Sequence, residues 1–424
     1  MILIPQSSLI MTIRQENHII TLQPRLDLFG PIDEVLLKKA VSNALERLEK
    51  SSALTVVVND PQRQTASPRV LKVLSHLIDP ACMRILVATG THRHSSEKMR
   101  CFELKLIQGL PIKEIQWHDS QSDKLVPVRP NGWRVHPWLI EDMPVLGIGS
   151  VEPHYFAGFT GAHKTLTIGC ASYSDVEFNH ASALLPGSCP GRLAGNPVFE
   201  GISQMLEDLA ASQRPAGVNL VQIGSTIIAA AGGKPLEILD AITPIVQDAF
   251  IQQIDVLADA IIVETASPLG QSFYQADKAI MNNQWAVRNG GVIVLAAPCE
   301  NGIGQNHFVK LLVQAPSASD AKDIVNRRGY RLGDHKAVRI RMLTDPNCRA
   351  VKVFAVSKGL SQADTVALGI TKAMSVNQAL SAAKIDPTHH RVYRILNAGN
   401  LCVIAKGVTV HGITTPVLPQ LTEL

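Results

Sequence analysis

Three side chains able to do chemistry fall within one stretch of the chain, residues 152–180 (EPHYFAGFTGAHKTLTIGCASYSDVEFNH). They are His154, Lys164 and His180. Glycines and small residues separate them, with Tyr155, Phe156 and Phe159 interleaved. A buried core segment of this length carries more Leu, Ile and Val, and a surface linker does not set aromatics among its glycines. Gly158 and Gly161 open backbone conformations closed to other residues and allow close approach to a ligand. Two readings fit these types: a glycine-rich turn with incidental histidines, or a wall around a bound cofactor.

The residues differ in what they offer. Lys164 sits in GFTGAHKT, close to a phosphate-binding loop, but His163 stands where that loop needs glycine. A nucleotide triphosphatase is therefore disfavoured. Covalent attachment through a desolvated amine and an ordinary solvated lysine both remain. His180 offers a neutral imidazole nitrogen to a metal. Protein-only metal sites take three or four ligands at telling spacings, and neither HExxH nor a Cys/His cluster occurs. A metal at His180 would thus draw most of its ligands from something other than protein. His92 and His154 form a second pair, suited to acid/base work near neutral pH. A reaction that inverts a stereocentre needs a proton partner on each face of the substrate; the alternative is that both bond backbone carbonyls. Arg63, Gln275 and Lys278 suit an anion. Gln275 and Lys278 are three apart near a helix start, hence on one face, and a helix N-terminus favours negative charge. A solvated helix face is the other reading.

The elements that must position these groups alternate. PIDEVLLKKAVSNALERL (31–48) has helical spacing, and LTVVV (54–58) is a short buried strand. RVLKVLSHLI, the strand at 84–88, SSEKMRCFELKL and the strand PVLGIGS (144–150) follow. Strand–helix–strand units predict parallel sheets with helices on both faces, and ligands then sit beyond the carboxyl ends of the strands. Asp60, Arg63, His92, Arg93 and His154 all follow strand ends. Ile19, Ile20 and Leu22 read as early strands. The alternation restarts after ADAIIVE, where GQSFYQADKAIMNNQWAVRNGG reads as a helix ending at a glycine pair.

At 424 residues the chain exceeds one usual hydrophobic core. We expect an N-terminal α/β domain over 1–247 and a C-terminal α/β domain over 248–424, with a hinge near 245–270 and the site in the cleft between them. A net charge of +4 is too weak to suggest a nucleic-acid face, and no Lys/Arg cluster with interleaved aromatics occurs, so we expect no nucleic-acid partner. No run approaches the roughly 18 apolar residues of a membrane span, and the N-terminus lacks a secretory leader. Seven scattered cysteines without a CxxC pair suit a reducing cytoplasm.

NDPQR, ATGTHR, PHYFAGFTGAHK, the NH of 179–180 and YQADK together resemble the lactate racemase family, the nickel-pincer-nucleotide enzymes that interconvert 2-hydroxy acid stereoisomers. The resemblance runs from NDPQR to GDHKA at 333–337. It implies that Lys164 holds a pyridinium-derived nickel-pincer nucleotide covalently. His180 would then be the protein ligand to nickel, the cofactor supplying the rest. His92 and His154 correspond to the family's acid/base pair. Asp60 and Arg63 match its early-loop polar pair, with Asp60 on the cofactor side, and Arg63, Tyr274, Gln275 and Lys278 would hold substrate. Hydride transfer from Cα avoids a carbanion, and a planar 2-keto acid can be reduced on its other face. Cofactor-biosynthesis enzymes would be the partners of such a protein. Two departures stand out: Ile168 lies where the family commonly has proline, and its pocket tryptophan has no counterpart, the last being Trp285. His335 lies in the comparable region. Both point to a substrate larger or more polar than lactate. The competing expectations are a related dehydratase or hydride-transfer enzyme, and a non-catalytic organic-acid or nucleotide-binding homologue.

Overall fold

Leu54–Asn59 and Met83–Ala88, the short apolar runs of the first hundred residues, pair in parallel, Leu54 against Met83 through Asn59 against Ala88. They are apolar throughout because both faces are covered. Val56 and Val58 meet Leu37, Val41, Val70 and Leu74 from the helices Glu34–Arg47 and Ser67–Leu74, while Val57 joins Leu86 in the cluster on the opposite face. The computed structural model describes residues 14–16, 18–49 and 51–406. It is a mixed α/β protein with two mainly parallel sheets.

The first sheet runs Thr226–Gly233, Ala216–Ile223, Val145–Ser150, Leu54–Asn59, Met83–Ala88, Glu114–Trp117. All neighbours are parallel except the terminal hairpin of Ala216–Ile223 with Thr226–Gly233. From Leu54–Asn59 the chain moves outward through two strands, then returns to Val145–Ser150 on the other side. That reversal leaves a crevice at the carboxyl ends of Leu54–Asn59 and Val145–Ser150, where open α/β sheets take their ligands.

The second sheet runs Arg14–Glu16, Ile19–Leu22, Val392–Ile395, Ala258–Glu264, Val287–Ala296, Lys352–Val356, Thr371–Ala373. It reverses between Ala258–Glu264 and Val392–Ile395, and the helix Phe273–Asn283 follows the first of these. The strands around Ile19 and Leu22 form as expected but belong here and not with the first half. Ile19–Leu22 lies parallel to Val392–Ile395, and Leu22 is buried against it. A division at residue 247 therefore separates this strand from its own sheet. The residues before 14 and the tail after 406 lie outside the described residues.

The helix expected to reach the glycine pair stops earlier, at Asn283. The Asn283 side chain donates to the carbonyls of Ala279 and Ala398, both at 2.9 Å, and accepts from the Val403 amide, which ties the end of the helix to the next layer. Gly290 and Gly291 instead lie inside the strand Val287–Ala296, and a Cβ at Gly291 would meet the Asp259 carbonyl at 2.9 Å.

Glycines in Val145–Ser150 have the same cause. A Cβ at Gly149 would lie 2.4 Å from the Ala162 nitrogen, and one at Gly147 would lie 2.6 Å from Leu166. Only a strand without side chains there lets the short helix Ala162–Leu166, which carries Lys164, seat directly on the sheet. Gly149→Ala is expected to lower stability by about 1–3 kcal/mol, the usual cost of overpacking. Urea unfolding measures it; an unchanged midpoint would contradict this packing.

Candidate functional site

The loop after Leu54–Asn59 supplies Asp60, which is buried. Its Oδ1 accepts from the Gln62 amide, and its Oδ2 accepts from His92 Nδ1 at 2.9 Å and His94 Nε2 at 2.8 Å. Burial alone would raise this carboxyl, yet the two imidazoles hold it well below the usual carboxylate range. With Nδ1–H committed to Asp60, His92 presents the Nε2 lone pair, which lies 3.4 Å from the Gln275 amide nitrogen. His94 escaped the sequence reading. It stands in the same THRH run as His92, and spacing within a loop does not say which side chain turns inward. Arg93 turns outward to the Gln121 side chain.

His154 begins a two-residue strand, Pro153–His154, paired with Gly158–Phe159. Gly158 has φ +73, and a Cβ there would strike the Arg192 carbonyl oxygen at 2.1 Å, so this glycine serves a close protein contact and not a ligand. The Ala157 amide donates to His154 Nδ1 at 3.3 Å, and His154 Nε2 lies 3.3 Å from Lys164 Nζ. Burial holds His154 well below its ordinary value, and Lys164, Lys278 and Arg63 add to the effect. Burial and then Arg63 push the Lys164 amine down in the same way. Two contacts fix the lysine's helix, Asn219 accepting from the Ala162 amide at 2.8 Å and Asn59 donating to Thr165 at 2.9 Å, and just beyond it Gly169 accepts from the Gly90 amide at 2.9 Å.

His180 lies near the end of the helix Tyr173–Ala181. Asn179 donates from its amide to the Val198 carbonyl, which turns its Oδ1 toward His180 Nδ1 at 3.2 Å. That bond selects the tautomer with Nε2 available to a ligand, the usual arrangement behind a metal-bound imidazole. Among the described residues no group of three His, Cys, Asp or Glu could hold a metal ion. A metal at His180 therefore needs a chelator that is not protein.

The second half supplies the opposite wall. Tyr274, Gln275 and Lys278 occupy the start of Phe273–Asn283, and Gln275 Oε1 is buried without a hydrogen-bond partner. His335 bonds Tyr330 through Nδ1 at 2.6 Å and Tyr155 through Nε2 at 3.1 Å. Lys336 pairs with Asp277 at 2.5 Å and donates to the Tyr274 carbonyl at 2.8 Å. Arg339 donates to the carbonyls of Tyr155, Ala183 and Ser188, joining this wall to the first.

The nine residues singled out in the sequence for the site, Asp60, Arg63, His92, His154, Lys164, His180, Tyr274, Gln275 and Lys278, line one cleft, and His335 lines it with them. Ile168 lines it too, whereas Trp285 lies in the 3-10 turn Gln284–Ala286, away from the cleft lining. Arg63, Lys164, Lys278 and Lys336 face this space, and Asp60 is the one carboxylate in its lining. Burial depresses Lys278 most, with Arg63, Lys336 and Lys164 adding to it. Arg63 is ion-paired with Glu152 and Lys336 with Asp277, and the basic lining as a whole suits an anionic ligand.

Residues 1–189 match the family model for the lactate racemase N-terminal domain, and residues 254–411 match the model for the lactate racemase C-terminal domain. The lactate racemase of Thermoanaerobacterium thermosaccharolyticum is 26% identical over 324 residues, 70% of this chain and 73% of that protein. The lactate racemase of Lactiplantibacillus plantarum is 27% identical over 302 residues, 66% of this chain and 69% of that one. The apoprotein structure of the Thermoanaerobacterium enzyme superposes with a TM-score of 0.75 at 21% identity, covering 95% of this chain and 99% of its own. A Thermotoga maritima protein of known structure gives a TM-score of 0.71 at 18% identity, covering 89% and 100%.

Asp60 carries a pH signature. Its folded-state pKa lies below the unfolded value, so its contribution is present above about pH 4 and is lost as pH falls from there toward the folded value. In urea unfolding, Asp60→Asn is expected to be less stable than wild type at neutral pH and to lose less on acidification. Parallel acid limbs in the two proteins would contradict the shared carboxylate.

Proposed function

The chain belongs to the lactate racemase family, and from that premise we propose that this isomerase is a nickel-pincer-nucleotide-dependent racemase or epimerase of a 2-hydroxy acid. The observation that carries the reading is the placement of the Lys164 amine, the open nitrogen of His180 and the His92–Asp60 pair around one cation-rich cleft. These residues fit the group. Lys164 is an amine without an acidic partner, the basic side chains of Arg63, Lys278 and Lys336 line the same cleft, and His180 has its tautomer set. Lys164 would hold the cofactor covalently, Asp60 would lie on its side of the cleft, and His180 would ligate the nickel. When bound, the nucleotide supplies a hydride acceptor for the Cα hydrogen.

The chain's own residues do the rest. Arg63 and Lys278 hold the substrate carboxylate, with Tyr274 and Gln275 beside them; the orphaned Gln275 Oε1 awaits a donor such as a hydroxyl. His92 Nε2 takes the hydroxyl proton, and Asp60 stabilises the imidazolium that results. His154 stands at the second face of the substrate. In place of the family's pocket tryptophan, the Tyr330–His335–Tyr155 chain makes that wall polar, which supports a substrate with a hydrogen-bonding group on its side chain. The two sheets would act as two domains joined near 245–270, closing to exclude water. Cytoplasmic residence and dependence on cofactor-making enzymes belong to the same proposal. None of the seven cysteines is in a disulfide, and among the described residues no helix is long and apolar enough to cross a membrane.

The test is production together with cofactor-making enzymes and nickel, followed by intact mass and a panel of chiral 2-hydroxy acids. The wild type is expected to gain mass on Lys164, bind nickel and racemise one member of the panel. Lys164→Ala is expected to lose the adduct, and His180→Ala the nickel. His92→Ala keeps the adduct while turnover falls by roughly 10² or more. An unmodified Lys164 with no racemisation would sink the proposal.

A further inference from the structure

Hydrogen-bond logic at His154 has a consequence for its neighbour. The Ala157 N–H points at Nδ1, so Nδ1 must be the lone-pair nitrogen and the proton of the neutral ring lies on Nε2. Nε2–H then faces Lys164 Nζ at 3.3 Å, and that contact is a hydrogen bond only if the amine accepts. An ammonium has no lone pair to offer. A charged Lys164 would need a lone pair on Nε2, hence a proton on Nδ1, which would collide with the Ala157 N–H. The surroundings agree: burial and then the Arg63 guanidinium disfavour a charge on the amine, and among the described residues no carboxylate is paired with it.

We propose that, in the chain not yet loaded with cofactor, Lys164 is a reversible covalent capture site for 2-oxo acids. The Nζ lone pair attacks the carbonyl carbon, forming the C–N bond as the C=O π pair moves onto oxygen. His154 Nε2–H, 3.3 Å from the attacking nitrogen, hydrogen-bonds the developing oxyanion. Both amine protons end on that oxygen, which leaves as water, and a C=N bond remains; hydrolysis reverses every step. No oxidant or reductant is required. Arg63 and Lys278 line the same cleft and take the carboxylate, so the preferred partner is a 2-oxo acid over an uncharged ketone. Such an adduct would occupy the anchor before the cofactor does. The step uses neither nickel nor hydride transfer, so it stands or falls apart from the proposed racemisation.

Full-length protein made without cofactor-making enzymes is incubated with pyruvate at neutral pH, trapped with borohydride and read by intact mass and peptide mapping. Borohydride delivers hydride to the imine carbon and leaves a stable secondary amine. One adduct, on Lys164, is expected, with acetone trapped at least about tenfold more slowly. Lys164→Arg, which keeps the length and charge, is expected to show no adduct. His154→Phe, confirmed folded by circular dichroism, is expected to slow trapping by about tenfold or more, at or below the contribution of a positioned polar group. Adducts spread over surface lysines, equal trapping of acetone, or an unchanged rate in His154→Phe would each overturn the proposal.

Discussion

A lysine amine lies 3.3 Å from an imidazole nitrogen in a half-buried cleft and has no carboxylate to neutralise it. Most buried lysines are paired, and this chain contains one that is: Lys336, held by Asp277. The difference between the two lysines organises the site. Lys336 is held by Asp277 and the Tyr274 carbonyl and ties the helix Asp334–Thr344 to Phe273–Asn283, a structural role. Burial, with Arg63 adding to it, disfavours the charge of Lys164, which suits an amine meant to form a bond.

Holding that amine in place takes the glycines of the first half. Gly147 and Gly149 let the helix of Lys164 press on its sheet, and Gly158 lets the hairpin of His154 pass against the Arg192 backbone. The two histidines then receive different settings. His92 is backed by a carboxylate and offers a lone pair, whereas His154 is backed by a backbone N–H and offers a proton. A pair that looks equivalent by residue type is asymmetric in its hydrogen bonding, and the asymmetry comes entirely from the atoms behind each ring.

Much of this was legible in the chain alone. Short apolar runs separated by helical spacing led to parallel sheets, and the rule for strand carboxyl ends brought Asp60, Arg63, His92 and His154 to one place. His94 was not legible, because a loop has no period that separates inward from outward side chains. The pairing of Ile19–Leu22 with Val392–Ile395 joins residues at opposite ends of the chain, and local pattern carries no information about so distant a partner. The glycine-rich stretch suggested approach to a ligand. Of the two glycines it offered, Gly161 lines the cleft, whereas Gly158 answers to the Arg192 backbone; Gly147 and Gly149, in the strand before it, answer to Leu166 and to the backbone of Ala162, contacts that no residue type announces. Asn283 ends its helix through bonds to Ala398 and Val403, again from far along the chain.

The charge state of one amine tests this account most directly. NMR titration of the Lys164 side chain, assigned by comparison with Lys164→Arg, measures it in the intact protein. The amine is expected to lose its proton well below the ordinary lysine value of about 10.4, while exposed lysines keep theirs. A Lys164 that titrates with the exposed lysines would mean that the groups around it do not act on its charge as described here.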